Sequence, residues 1–419
     1  MNYYETEFKE IIYTLFETQN NCFSNKYEDE KIERFKSLSQ ERKLVFIGTG
    51  YYLKSMPKYL KMKFGVQLYG VYDWLEEIEN KNGPFFKLSD EKYLDKRKYN
   101  KYKDKYTLIS KEEFYKNPDD FIVFINIDTN IYTQHTLYNA GFKHIYTMRN
   151  LAKELISPAI LEKQNKGFEE YDMNELNHSF SSIEIANIIT LYNLLDDEKS
   201  KRVFMSILKF KLTEDYFYTI SEKDDVSLQY FDKEVITLLE NEVFIDCGGY
   251  TGDSIDAFIK TVNGKFDYIY SYEPDINNFE ILENYVNKSK YKEKIISINA
   301  GVSYKEKSLY LNGDGLITSC TENKTEKKAE VVTIEKSISH IPTFIKMDVQ
   351  SFEVNALLGC MDMIKEHKPK LAISIYHKWD DLWSIPLLLK QWVPEYELKI
   401  RHYECTQEET ILYAIPKKS

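Results

Sequence analysis

The sequence predicts an α/β protein in three parts: a small α/β domain at residues 1–150, a helical connector at 151–240 and a larger α/β domain at 241–419. Residues 243–253 carry the first observation. They read Val-Phe-Ile-Asp-Cys-Gly-Gly-Tyr-Thr-Gly-Asp, an apolar run, an acid, and glycines at 248, 249 and 252. A second apolar run at 266–272 ends in Glu273-Pro274, with Glu273 lying 21 residues beyond Gly252. The same order recurs upstream: an apolar run at 44–47, then Gly48-Thr49-Gly50, then another at 68–72 closed by Asp73. A strand, a glycine turn, a helix and a second strand ending in an acid make a nucleotide-binding βαβ unit.

Taken in order, Phe8, Ile11, Ile12 and Phe16 recur at three- and four-residue spacings and predict a helix over 5–17. Strands at 44–47 and 68–72 flank a helix ending near 64. Further strands are predicted at 106–109, 121–127 and 145–146, with a helix at 131–139 closed by Gly141. Residues 40–150 thus read as a doubly wound domain. Leu53 holds the third glycine position of the dinucleotide fingerprint, so a structural or acceptor-positioning role stands beside a nucleotide or nucleotide-sugar site. The Lys- and Tyr-rich stretch at 92–106 reads as a solvated loop, because Asp95 and Asp104 interrupt its charge.

In the connector, Ser181 and Glu184 form a capping-box pattern ahead of Ile185, Ile188, Ile189, Leu191 and Leu195. Val203, Phe204, Ile207, Leu208 and Phe210 continue into a second helix. Residues 319–328 are polar and predict a loop; 371–375 predict the fifth strand of the larger domain, and 397–403 with 410–415 an antiparallel pair.

The glycines at 248, 249 and 252 let the chain turn sharply and bring its backbone close to a ligand. A pyrophosphate prefers bare helix-terminal N–H groups. Asp246 and Asp253 flank this turn and would repel one, whereas they suit the ammonium and sulfonium of S-adenosylmethionine. Glu273 stands where an acid grips ribose hydroxyls. Composition narrows the rest. A net charge of −11 argues against a nucleic-acid partner, and 43% hydrophobic with 29% charged residues fits a globular chain. Five scattered cysteines without a Cys-x-x-Cys pair suggest neither a disulfide framework nor zinc, which fits a cytoplasmic location. No apolar run reaches membrane-spanning length, and the N-terminus does not read as a secretory signal.

Over residues 228–415 the sequence resembles the FkbM family of methyltransferases. The likeness is carried by Gln229-Tyr230-Phe231-Asp232, residues 246–253, Tyr272-Glu273-Pro274 and Asn299-Ala300-Gly301-Val302, and then by residues 344–349, Phe352-Glu353, Ile375-Tyr376-His377-Lys378, Asp381-Leu382 and Ile385-Pro386. Gln350-Ser351 depart from it, standing where the family commonly has Glu-Gly. The resemblance implies a Rossmann-like methyltransferase domain on a seven-stranded mixed sheet, which the smaller Rossmann-like α/β domain read from residues 40–150 precedes. It also implies methyl transfer from S-adenosyl-L-methionine to an oxygen of a sugar, nucleotide sugar or glycan.

Cofactor contacts then fall on Asp246, Gly248, Gly249, Tyr250, Gly252, Asp253, Glu273, Pro274, Asn299 and Ala300. His377 is the first choice for general base, with Asp348 as its orienting partner or the alternative base, because both follow strands at the carboxyl edge of the sheet and imidazole titrates near neutrality. Trp379, Asp380 and Trp383 are candidate acceptor contacts. A divalent cation held by Asp348, Glu353, His377, Asp380 and Asp381 is a second way to acidify a hydroxyl; their order specifies no geometry, so metal-free catalysis is the preferred reading. A nicotinamide-dependent sugar oxidoreductase and a non-catalytic scaffold in polysaccharide assembly are the rival functions, and a homo-oligomer is possible.

Overall fold

The computed structural model describes residues 3–18, 26–47, 56–72, 107–125, 137–147, 180–213, 216–312, 319–321, 327–405 and 408–417. The chain divides into two compact units, Met1–Ser181 with Ser206–Ser221, and Ser182–Met205 with Glu222–Ser419. Helix Glu198–Thr213 contributes its first half to one and its second half to the other.

The first unit holds a parallel five-stranded sheet of β1 (Lys43–Ile47), β2 (Leu68–Tyr72), β3 (Leu108–Ile109), β4 (Phe121–Ile125) and β5 (Ile145–Thr147), in the order β3-β2-β1-β4-β5. Strand side chains alternate, so each strand feeds two cores. Leu44, Phe46, Ile122 and Phe124 pack with Ile32, Phe35 and Leu60 on one face, while Val45, Ile47, Val123 and Ile125 pack with Phe114, Leu137 and Phe142 on the other. Sheets covered on both faces read as unbroken apolar runs, which is why these strands were legible.

The first helix spans Tyr3–Thr18, and its buried stripe is Phe8, Ile11 and Leu15; Phe16, predicted inward, is exposed. Helix Lys26–Glu41 was not anticipated, because its inward set of Ile32 and Phe35 is too sparse to mark a period. Gly48-Thr49-Gly50, Leu53, Asp73 and the 92–106 stretch lie outside the described residues, as does most of the helix predicted at 131–139.

In the second unit, β6 (Val243–Cys247), β7 (Tyr268–Tyr272) and β8 (Ile295–Ile298) run parallel to β13 (Phe344–Met347) and β14 (Lys370–Ser374). With β15 (Tyr396–His402) and the antiparallel β16 (Thr410–Pro416) they form one seven-stranded sheet, ordered β15-β16-β14-β13-β6-β7-β8. The chain leaves β6 toward β7 and β8, then returns to β13 on the other side. The carboxyl ends of β6 and β13 therefore diverge at a topological switch point, where α/β sheets bind ligands. Below it, Phe244 stacks on Phe258 at 4.4 Å and on Phe344 at 5.1 Å between ring centroids.

The remaining strands, β9 (Gly301–Val302), β10 (Lys307–Asn312), β11 (Ser319–Thr321) and β12 (Lys327–Val332), make a four-stranded sheet ordered β11-β10-β12-β9. The loop predicted at 319–328 is corrected here: its two ends are strands paired with β10. Polarity misled, because a sheet can keep one face wet. Among the described residues no helix is long and apolar enough to cross a membrane.

Phe244 is fully buried and ring-stacked on two sides. Phe244→Ala should therefore cost about 3–5 kcal/mol of unfolding free energy in denaturant titration; a loss under about 1 kcal/mol would contradict this packing.

Candidate functional site: the β6–β13 switch point

The turn after β6 is built by close approach. Gly248 has φ +87°, and a Cβ on it would stand 1.9 Å from the Asp348 carbonyl oxygen. A Cβ on Gly249 would stand 2.1 Å from Ser271 Oγ. Glycine at these two positions is thus required by packing against neighbouring strand ends, beyond any ligand. Gly252, at φ +97°, starts helix Asp253–Thr261, and exposed Asp253 lies in that helix's first turn, where its charge favours the dipole.

Both oxygens of Glu273, just past β7, hold this turn and the next. Oε2 accepts the Tyr250 N–H at 2.9 Å and Oε1 accepts the Asp275 N–H at 2.9 Å. Tyr250 sits at φ +44°, so this bond secures a left-handed residue. Burial pushes the Glu273 carboxyl up to about 7, against hydrogen bonds from Asp275, Tyr250 and Asn278 that lower it. A carboxylate has about four lone-pair sites, so acceptor capacity remains for hydroxyls. Asn299, exposed beyond β8, donates from Nδ2 to the Glu273 carbonyl at 2.8 Å and more weakly to that of Pro274 at 3.4 Å; its neighbour Ala300 is buried. Tyr250, Gly252, Glu273, Pro274 and Asn299 thus gather around the ends of β6, β7 and β8.

Asp246 is not part of that rim. The sequence placed it against the ligand, but it is fully buried; Oδ2 accepts from Ser254 at 2.7 Å and Ser271 at 3.1 Å, and Oδ1 pairs with Lys346 at 3.2 Å. Lys346 also donates to the Gly248 carbonyl at 2.7 Å. Burial raises the Asp246 carboxyl and opposes the charge on Lys346, yet the carboxylate beside Lys346 outweighs burial and holds the amine protonated. With its charge compensated, Asp246 does not repel a phosphate. Lys346 escaped the sequence reading because a lysine inside a strand is ordinarily a solvated one.

On the other side of the switch point, Asp348 Oδ2 accepts the Tyr230 hydroxyl at 2.8 Å. The Tyr376 hydroxyl stands 3.5 Å from Asp348 Oδ2 and 3.5 Å from Glu409 Oε1, while Gln229 donates its amide to Glu409. Asp348 Oδ1 lies 3.4 Å from His377 Nε2, and Glu353 Oε1 lies 2.8 Å from His377 Nδ1. Structure and sequence agree that Asp348 and His377 converge; the nearer carboxylate is Glu353, which was not proposed as the orienting group. Burial alone would lower the imidazole, but Glu353 first and then Asp348 and Asp381 push it up to about 9. Such a ring carries its proton at neutrality, the opposite of what a general base needs.

Tyr230, Tyr376, Glu353 and Glu409 also belong to this cluster. The first three stand in motifs visible in the sequence; Glu409, brought in by the β15–β16 connection, had no local signal. Trp383, predicted to meet the acceptor, is 1% exposed and packs edge-on to Trp379 at 6.5 Å, so it is a core residue; Trp379 is half-buried and Asp380 exposed.

This sheet order, with a glycine turn after β6 and a buried acid after β7, defines a Rossmann-like methyltransferase domain. Comparison with known proteins makes the class particular: residues 246–401 match the family described as the methyltransferase FkbM domain. A crystal structure of methyltransferase FkbM from Methylobacillus flagellatus KT is similar over 91% of this chain and 92% of its own, at 20% identity and a TM-score of 0.57, a likeness of fold. Weaker matches include Aeropyrum pernix fibrillarin with bound S-adenosyl-L-methionine (11% identity, 44% of this chain and 71% of that one, TM-score 0.28). Another is a putative caffeoyl-CoA O-methyltransferase from Staphylococcus aureus (10% identity, 58% and 96%, TM-score 0.29). No argument rests on these two. No curated protein matches the chain.

Gln350 and Ser351, the departures from the family pattern, have φ +50° and +75°. A side chain in the left-handed region costs about 1–2 kcal/mol, offset in part by the backbone entropy glycine loses on folding. Ser351→Gly should therefore raise unfolding free energy by roughly 0.5–1 kcal/mol in denaturant titration; destabilisation would show that the serine side chain is needed where it stands.

Proposed function

We propose that this protein is an S-adenosylmethionine-dependent O-methyltransferase acting on a sugar, nucleotide sugar or glycan hydroxyl. The observation that carries the reading is Glu273: a buried carboxylate that holds the glycine turn at the switch point and keeps acceptor capacity for ribose hydroxyls. The adenosine would lie along Glu273, Pro274 and Asn299, with the sulfonium toward the turn at 248–252. Gly248 packs directly on the Asp348 backbone, so a methyl group presented from that turn faces the Asp348 side of the cleft.

Methyl transfer is an in-line displacement in which the acceptor oxygen bonds the methyl carbon as the carbon–sulfur bond breaks, releasing S-adenosylhomocysteine. Positioning accounts for most of such a barrier. Asp348, Glu409, Tyr230 and Tyr376 offer carboxylate and hydroxyl partners suited to a polyhydroxyl acceptor. The hydroxyl proton would leave toward the carboxylates around His377. Acceptor contacts from Trp379 and Asp380 remain part of the proposal; Trp383 does not.

Calorimetry with S-adenosylhomocysteine tests the cofactor side. Hydrogen bonds to a charged group contribute about 1.5–3 kcal/mol, so Glu273→Ala should weaken binding roughly 10- to 150-fold. Because the Glu273 carboxyl titrates near 7, wild-type affinity should fall as pH drops through that value and the variant's should not. Unchanged affinity in Glu273→Ala would remove the ribose assignment.

A further inference from the structure

The acceptor side contains one group of buried side chains close enough together to share an ion. Asp348, Glu353 and His377 each present a ligand atom within 4.8 Å of the others'. Glu353 Oε1 is 2.8 Å from His377 Nδ1, and Asp348 Oδ1 is 3.4 Å from Nε2, yet both ring nitrogens and Asp348 Oδ1 are buried atoms without a hydrogen bond.

Around one octahedral ion adjacent ligand atoms lie roughly 3 Å apart at metal–ligand distances near 2.1 Å, and an imidazole supplies a single nitrogen because its two ring nitrogens point apart; one atom each from Asp348, Glu353 and His377 lies within 4.8 Å of the other two. A second observation is independent of those distances. Glu353 is 1% exposed, and while its Oε1 accepts the Val349 N–H at 2.9 Å, its Oε2 is buried without any partner. An unsatisfied buried carboxylate oxygen is costly to leave unpaired. Asp381, also 1% exposed, adds a further negative charge close enough to act on His377 and Glu353. The imidazole offers one compensating charge against three carboxylates.

We infer that Asp348, Glu353 and His377 form a binding site for a divalent cation of the magnesium–manganese class. Two carboxylates and one imidazole are a hard, oxygen-rich set that suits such ions over the thiolate-preferring metals. His377 would bind through one ring nitrogen in its neutral form, releasing its proton to solvent on metal binding. Asp348 is the ligand nearest the open cleft, since its side chain is 19% exposed against 6% for His377 and 1% for Glu353. The ion would therefore face the acceptor and supply Lewis-acid character that eases loss of a hydroxyl proton. This catalytic use rests on the methyl-transfer reading; the binding itself does not. It reverses the preference for metal-free chemistry that the sequence supports.

The test is electron paramagnetic resonance of the full chain titrated with Mn²⁺ after dialysis against chelator, alongside separate calorimetry with S-adenosylhomocysteine. One Mn²⁺ per chain should bind and be displaced by Mg²⁺. Asp348→Asn, Glu353→Gln and His377→Gln should each weaken Mn²⁺ at least about tenfold, since loss even of a residue that only supports a ligand costs that much. Glu395→Gln, an exposed partner of Lys368, should leave it unchanged. Cooperative thermal unfolding of the three variants, followed by circular dichroism, shows that they fold. No Mn²⁺ binding at millimolar concentration, or binding that survives all three substitutions, overturns the site. Loss of S-adenosylhomocysteine affinity in the wild type would instead count against the cofactor reading and leave the cation site standing.

Discussion

The buried pair of Asp246 and Lys346 fixes everything at the carboxyl edge of the larger sheet. It joins the last turns of β6 and β13, strands separated by about a hundred residues of chain, and through the Lys346 bond to the Gly248 carbonyl it sets where the glycine turn begins. An ion pair fully withdrawn from water is a weak source of net stability, but removing either partner strands a charge. Here the pair specifies geometry. With β6 and β13 pinned, Gly248 is pressed onto the Asp348 backbone so closely that only hydrogen fits in place of a side chain. The glycine turn and the Asp348 backbone thus pack directly on one another.

Two carboxylates stand at the ends of adjacent strands and do different work because their surroundings differ. Asp246 is neutralised by a lysine and two serine hydroxyls and serves the fold. Among the described residues no cation pairs with Glu273, only N–H groups and an amide, and burial leaves it reluctant to ionise. On the far side of β13 the balance shifts again: carboxylates outnumber cations around His377, and the tyrosines there are hydroxyl donors rather than charges.

The parts legible in the sequence were those written locally. Strand β6, its turn and Glu273 follow one another within about thirty residues, and apolar runs flanked by glycines and acids announce such a unit. The antiparallel pair at the end of the sheet was legible as well. Contacts closed over long separations were not. Asp246 with Lys346, Tyr230 with Asp348, and Gln229 with Glu409 each bridge about a hundred residues or more, and no spacing rule encodes them. Polarity misled twice, at the strands around 319–328 and at Lys346, because a charged residue in a strand can lie on a wet face or be paired inside. Trp383 was misplaced for the converse reason: position after a strand suggested a rim, whereas its bulk was needed for the core beneath helix Asp381–Trp392.

The central claim is that one cleft at the β6–β13 switch point holds the methyl donor on the Glu273 side and the acceptor on the Asp348 side. Its most direct test is a crystal structure with S-adenosylhomocysteine bound. The account requires both ribose hydroxyls within hydrogen-bonding distance of Glu273 and the sulfur over the turn at residues 248–252, opening toward Asp348. A nucleoside seated elsewhere, or a sulfur facing away from Asp348, would contradict it.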